Sequence, residues 1–186
     1  MPAKIAHLIN RLGRNIHCRQ FAQGLNPAQW EALRYLALAN HYSRTPSALA
    51  EYLRTTKGTA SQTLKSLDAK GYIRRVPVPE DRRAVRIDVT DAGHVALRLD
   101  PLRCLESSAA AMSDDLETVS RVLGRLAASL ERANGKAFGL CGECTYFCKN
   151  ASPGAEGGPH RCGLHEDPLS AVDATKICVS HRCGRV

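Results

Sequence analysis

At Ile73 the spacing of apolar side chains switches from the three-to-four of a helix to the two of a strand, and few small folds accommodate that switch. Before it, Ile5, Leu8, Ile9, Leu12, Ile16 and Phe21 form a helical stripe within Ala3 to Ala22, broken by Gly24. Asn26-Pro27 then supplies an N-cap and a first-turn proline for a second helix carrying Trp30, Leu33, Leu36 and Ala37. Thr45-Pro46 repeats the signal ahead of a short helix with Ala48, Leu49, Tyr52 and Leu53 inward. After a turn at Arg54 to Thr56, Ala60, Leu64 and Leu67 mark a further helix, which Gly71 ends. Two short helices across a tight turn predict a helix-turn-helix.

Past Ile73, Val85, Ile87 and Val89 alternate with Arg86 and Asp88, while Ile73 to Val78 provides a partner strand. The polar, proline-led Pro79 to Arg83 between them predicts a turn, so the pair reads as a β-hairpin with a basic tip. The predicted fold is a winged helix-turn-helix, mainly α with a small β-hairpin wing. Beyond Thr90, Asp91 to Met112 and Ser113 to Asn134 carry leucine and alanine stripes, with Pro101 kinking the first helix and Ser113 capping the second. Their surplus of apolar surface asks for a partner helix. The DNA-binding unit is set at 26–90, flanking dimerisation helices at 1–25 and 91–135, and a separate cysteine-rich module at 136–186.

Charge is as uneven as period. The chain holds 26 Lys and Arg against 18 Asp and Glu, and the whole excess of +8 lies ahead of Ala137. Arg54 to Arg86 alone has nine basic residues against three acidic ones, a balance that points to a polyanionic partner. On the helix after the turn, the apolar stripe leaves Lys57, Thr59, Ser61, Gln62 and Lys65 outward. Gln, Ser and Thr can exchange hydrogen bonds with base edges, while Arg54, Lys57 and Lys65 neutralise phosphates. A solvated helix face would show similar residues; the adjoining hairpin weighs against that reading. Arg82 and Arg83 at its tip can enter a narrow minor groove, with Asp81 orienting one guanidinium.

Leu64 to Thr90, LKSLDAKGYIRRVPVPEDRRAVRIDVT, closely resembles the recognition helix and wing of the MarR family of winged-helix transcription regulators. The leucine pair, Lys70-Gly71, the Pro79-Glu80-Asp81-Arg82-Arg83 wing and the closing Thr90 stand in family order, and element order is similar over the first three quarters of the chain. The resemblance implies a homodimer on a pseudo-palindromic double-stranded DNA operator, with recognition helices in the major groove and wings in the flanking minor grooves. It implies that Asp81 holds and Arg83 inserts. The chain departs from the family pattern after Asn134, where it continues for about fifty residues.

That continuation holds six of the eight cysteines: Cys141, Cys144, Cys148, Cys162, Cys178 and Cys183. Such density without a secretory signal favours metal over disulfides. The most economical ligand set is Cys141, Cys144, Cys162 and Cys178, one chelating C-x2-C pair plus two distant thiolates. A module with so few large apolar residues needs a staple of this kind. An iron–sulfur cluster, most simply [4Fe-4S], suits scattered thiolates; zinc is the alternative, with His165 or His181 able to complete a second close pair, and a thiol-disulfide switch is the third. Cys148 stands close enough to replace a ligand, whereas Cys18 and Cys104, on helical stripes, read as small buried residues.

The two parts together predict a regulator, in the first instance a repressor, whose operator binding follows a metal centre sensing redox, oxygen or iron status. Coupling is expected through the last dimerisation helix, by way of Gly135 to Leu140. The rival reading keeps the regulator but makes the tail a structural zinc module and the signal a small molecule bound between the helical and winged parts. No carboxylate pair, catalytic Cys/His arrangement or phosphate-binding glycine loop supports an enzyme. With no long apolar run and no hydrophobic leader, the expected location is cytoplasmic, with no membrane partner.

Overall fold

A computed structural model describes residues 1–78, 81–133, 138–152, 154 and 156–182, with the backbone alone at 81–84, 113 and 131–133. Helix α1 (Pro2–Arg19) leads into α2 (Pro27–Leu38), which opens on a reciprocal cap. The Asn26 side chain accepts from Gln29 N at 2.9 Å, and Gln29 Oε1 accepts from Asn26 N at 3.0 Å. Thr45 caps α3 (Pro46–Tyr52) by accepting from Ala48 N at 3.2 Å, and Thr56 caps α4 (Lys57–Ala69) by accepting from Thr59 N at 3.1 Å. Between them the chain turns through Arg54 at φ 51°, with Thr55 N donating to Ala50 O and Arg54 N to Glu51 O. This is a Schellman closure with arginine where glycine is usual.

Strands β1 (Ile73–Val78) and β2 (Asp81–Val89) pair antiparallel, with Ile73 opposite Val89. The second strand begins at Asp81, so the connection is shorter than the expected Pro79 to Arg83. Its register jumps between Pro77 and Val78, where Pro77 has no N–H to continue the ladder. Trp30, Leu33, Leu36, Leu49, Leu64, Leu67, Ile73 and Ile87 form one buried core that binds α2, α3, α4 and the wing together.

Thr90 ties the wing to α5 (Asp91–Arg98): its hydroxyl donates to Gly71 O at 2.6 Å and accepts from Gly93 N at 3.1 Å. A Cβ on Gly93 would stand 2.2 Å from Tyr72 O, so that position admits only glycine. The helix expected from Asp91 to Met112 is broken rather than kinked, and resumes as α6 (Arg103–Ala110). Pro101 lacks the N–H to carry it through, and Asp100, buried and gripped by Arg34 Nη1 at 2.9 and 3.1 Å, accepts from Leu102 N at 2.8 Å and stabilises the break. A 3-10 turn at Ser113–Asp115 precedes α7 (Leu116–Ala133), so Ser113 lies within that turn instead of capping the long helix.

Neither α1 nor α6 buries a residue in the single chain. Ile5, Ile9 and Leu12 on α1 and Leu116, Val122 and Leu123 on α7 face outward. Cys18 and Cys104 lie on these outer helices and are exposed, contrary to their reading as buried residues. Among the described residues no helix is long and apolar enough to cross a membrane.

The remaining elements are short: β3 (Gly139–Leu140), β4 (Phe147–Cys148), β5 (His160–Cys162), β6 (Pro168–Leu169), α8 (Ala171–Ala174) and β7 (Ile177–Cys178). They form a three-stranded sheet, β4-β5-β6, and a two-stranded one, β3-β7. This part lies against the helix-turn-helix core. Phe138 stands edge-on to Tyr35 and Tyr52 with centroids 6.3 and 5.3 Å away, and Ile177 and Val179 pack on the same cluster.

Candidate functional site

Two constellations carry chemistry, and the first is the outer face of α4. Burial of Ala60, Leu64 and Leu67 leaves Lys57, Thr59, Ser61, Gln62 and Lys65 exposed, as the stripe predicts, with exposed Arg54 at the preceding turn. The Thr59 hydroxyl lies 2.9 Å from that of Thr56, and Thr63 Oγ1 donates to Thr59 O at 3.1 Å, which steadies the first turn. Much of the neighbouring positive charge is already committed. Arg44, Arg86 and Arg74 gather on Asp88 at 3.0, 3.2 and 4.0 Å, and Arg75 pairs with Asp68 at 3.4 Å. Lys70 donates to Gly24 O. Among the described residues no acidic side chain lies within ion-pair distance of Arg54, Lys57 or Lys65. The side chains of Asp81, Arg82 and Arg83 lie outside the described residues.

The second constellation is built by the short strands. Pairing of β3 with β7 sets Gly139 opposite Cys178, and Cys141 N donates to Lys176 O at 2.9 Å, so Cys141 and Cys178 stand side by side and both are buried. Gly139 is required there, because a Cβ would come within 2.5 Å of the His181 ring. One 3-10 turn, Cys141–Glu143, delivers Cys144, whose N–H donates to Cys141 O at 3.1 Å. Cys162 arrives on β5, held by Asp167 O and Glu166 N, and is half-buried. Cys148 is exposed, its thiol directed to Tyr146 O, and Cys183 lies outside the described residues.

N–H donors point at three of the four predicted ligands. Asn40 Nδ2 donates to Cys141 Sγ at 3.2 Å, Arg182 N to Cys144 Sγ at 3.4 Å, and the Ser180 backbone to Cys178. The Cys141 thiol also hydrogen-bonds Cys178, pulling Cys178 down to about 5 against its burial, with help from Asn40, Ser180 and the field of His165. The same bond, together with burial, pushes Cys141 well above the ordinary thiol range. The bond thus favours the ionised form of Cys178 over that of Cys141, and a thiolate is the better acceptor and ligand. Cys162 lies near enough to Cys141 and Tyr42 to contribute to their raised pKa values. Among the described residues, no three His, Cys, Asp or Glu side chains already meet in a metal-binding group.

Sequence reasoning missed the residues that dock the cysteines. Tyr42 stacks on His165 at 4.0 Å and donates to Asp167 at 2.5 Å; Lys176 Nζ donates to Ala37 O at 2.8 Å; Ser43 Oγ accepts from Val179 N at 2.7 Å. Asn40 and Cys141 are 101 residues apart, and nothing in the stretch Asn40-His41-Tyr42-Ser43 advertises a distant sulfur. A separate apolar cavity of about 400 Å³ opens between Gln23, Tyr72, Ala92, Val95, Ala96 and Leu99.

Comparisons agree with this architecture. A model of the MarR family matches residues 23–84. The transcriptional repressor MprA of Escherichia coli is 32% identical over 124 residues, which cover 63% of this chain and 70% of the relative. Streptococcus pneumoniae FabT, solved in complex with DNA, superposes with a TM-score of 0.59 at 21% identity, covering 72% of this chain and 99% of that one. The transcriptional regulator BldR from Sulfolobus solfataricus superposes with a TM-score of 0.54 at 24% identity, covering 70% and 91%. These two likenesses concern the fold.

Proposed function

The chain belongs to the MarR family, whose members here are transcription regulators and not enzymes, and on that premise we propose a DNA-binding repressor governed by a cysteine-held metal centre. The exposed face of α4 carries the DNA reading. Set in a major groove, Ser61, Gln62 and Thr59 meet base edges, while Arg54, Lys57 and Lys65 neutralise phosphates. Asp81, Arg82 and Arg83 of the wing reach the adjoining minor groove. A second copy covers the outward apolar faces of α1 and α7, and the resulting two-fold axis matches a pseudo-palindromic operator.

The cysteine unit, 136–186, is proposed to hold its metal through Cys141, Cys144, Cys162 and Cys178, beside the winged-helix unit of 1–135. What supports this is the set of N–H donors aimed at Cys141, Cys144 and Cys178, since sulfur attracts such donors when it carries negative charge. An all-thiolate set suits a [4Fe-4S] cluster, which would report redox, oxygen or iron status. Bringing four thiolates together costs electrostatic repulsion that the metal itself offsets, so the site closes on binding.

The test is an absorption spectrum with iron, sulfide and zinc analysis on protein purified without oxygen. A broad visible band of sulfur-to-iron charge transfer with matching iron and sulfide is the expected result; no metal at all refutes the centre. One zinc per colourless chain favours the second reading, a structural staple with an effector in the apolar cavity beside Tyr72 and Val95.

A further inference from the structure

The cysteine unit follows α7 in sequence, yet its described polar contacts with the rest of the chain run to the end of α2, at Ala37, and to residues 40–43 between α2 and α3. Asn40 is the centre of that connection and is buried. Its Nδ2 donates to Cys141 Sγ, and its side chain also bonds Cys178. Its Oδ1 accepts from Ser43 N at 3.0 Å and from Ser43 Oγ at 2.6 Å, and its own N–H donates to Ile177 O at 2.9 Å. Both ends of one amide are therefore used, one on the cysteine pair and one on the loop.

The same loop caps the first helix of the helix-turn-helix and holds the base of the wing. Ser43 O accepts from Tyr35 Oη at 2.8 Å and from Thr45 N at 2.9 Å, and Thr45 is the cap of α3. Arg44 O accepts from Ile87 N of β2 at 2.7 Å, and the Arg44 guanidinium holds Asp88 of the same strand. A change in position of the two sulfurs thus reaches the start of the helix-turn-helix and the base of the wing through the Asn40 side chain, beside the Val179–Ser43 bond. A buried amide whose sulfur acceptor moves must find another partner or move with it, and here moving shifts Ser43 and the cap behind it.

We infer that Asn40 is the positioning residue through which the cysteine centre sets the geometry of the helix-turn-helix and wing, the signal entering at loop 39–45 and not along α7. The inference rests on the proposed centre, so its test is arranged to separate the two. Metal content is measured first, on anaerobically purified wild type and Asn40→Ala. Each is then assayed, loaded and chelator-stripped, on a duplex selected from a random pool by loaded wild type. Amide hydrogen exchange is followed in wild type in both states.

Stripping is expected to change wild-type affinity by roughly tenfold, within the usual range of coupling between sites. In the fraction of Asn40→Ala that carries metal, with all four cysteines intact, the loaded-to-stripped ratio should fall to about twofold or less. Exchange in wild type should quicken on stripping across 39–45 and β2 and stay unchanged in α7. An undiminished ratio in Asn40→Ala, or quickened exchange confined to α7, overturns the inference even where the centre is present. Metal-free wild type overturns the centre itself, and the route with it. Should Asn40→Ala fail to fold or load, the wild-type exchange pattern decides alone.

Discussion

Replacing Lys57 and Lys65 together by alanine separates DNA binding from folding, because the two should respond in opposite directions. Both side chains are exposed, and neither has an acidic side chain within ion-pair distance among the described residues, whereas Arg44, Arg74, Arg75 and Arg86 are tied to Asp88 or Asp68. If each lysine neutralises one phosphate, a dimer loses about four contacts. The slope of log K against log salt then becomes shallower by about 3.6, at about 0.9 for each contact. Lines of that difference, meeting near about 1 M salt, stand about three and a half orders of magnitude apart at about 0.1 M. Lys57 also occupies the first position of α4, where a cation opposes the helix dipole, so its removal should leave stability unchanged or raise it by about 0.3–1 kcal/mol. Fluorescence anisotropy on one duplex across a salt series, beside urea denaturation of the same preparations, reads both quantities. A salt slope equal to that of wild type would refute the assignment of α4 to phosphate contact, whatever the affinity at a single salt concentration.

Three further outcomes are expected. Asp100→Ala leaves the Arg34 guanidinium with only the exposed Glu31 at 3.4 Å and removes the acceptor for Leu102 N, and should lower stability by about 3 kcal/mol, read as a reduced urea midpoint at constant slope. Burial holds the His41 imidazole below its ordinary 6.5. The unfolded chain therefore binds the extra proton first, and stability falls as pH drops below 6.5. His41→Asn should flatten that fall when urea midpoints are compared on either side, and an unchanged pH dependence counts against it. Cys→Ser at Cys141, Cys144, Cys162 or Cys178 should each abolish or loosen metal retention in elemental analysis, while Cys148→Ser, altering an exposed thiol, should leave it intact.

Local signals were the most legible part of the chain. Asn26 and Thr45 act where they stand, through bonds to N–H groups three residues on, so a sequence displays them without knowledge of the fold. The amphipathic stripe of α4 likewise predicted which residues face out. Pro101 signalled an interruption, but whether it kinked or broke the helix depended on Arg34, 66 residues away, gripping Asp100. The start of β2 was misjudged for a similar reason: the register jump at Pro77 belongs to a pair of strands and to neither alone. Cys18 and Cys104 looked like core residues on apolar stripes, yet those stripes face outward in the single chain.

The cysteine region shows the same division. Spacing in the sequence was enough to propose Cys141, Cys144, Cys162 and Cys178 as ligands, because chelation is a matter of residue type and of short loops. Where that group would sit was decided only by tertiary structure. Continuity of the chain pointed to α7 as its neighbour, whereas β3, β7, Phe138 and Val179 carry it onto the α2–α3 connection, with Asn40 set against its sulfurs. Capping, period and ligand spacing are local properties that a linear text records. Docking is the choice of one apolar and hydrogen-bonding surface by another, and it exists only once both have folded.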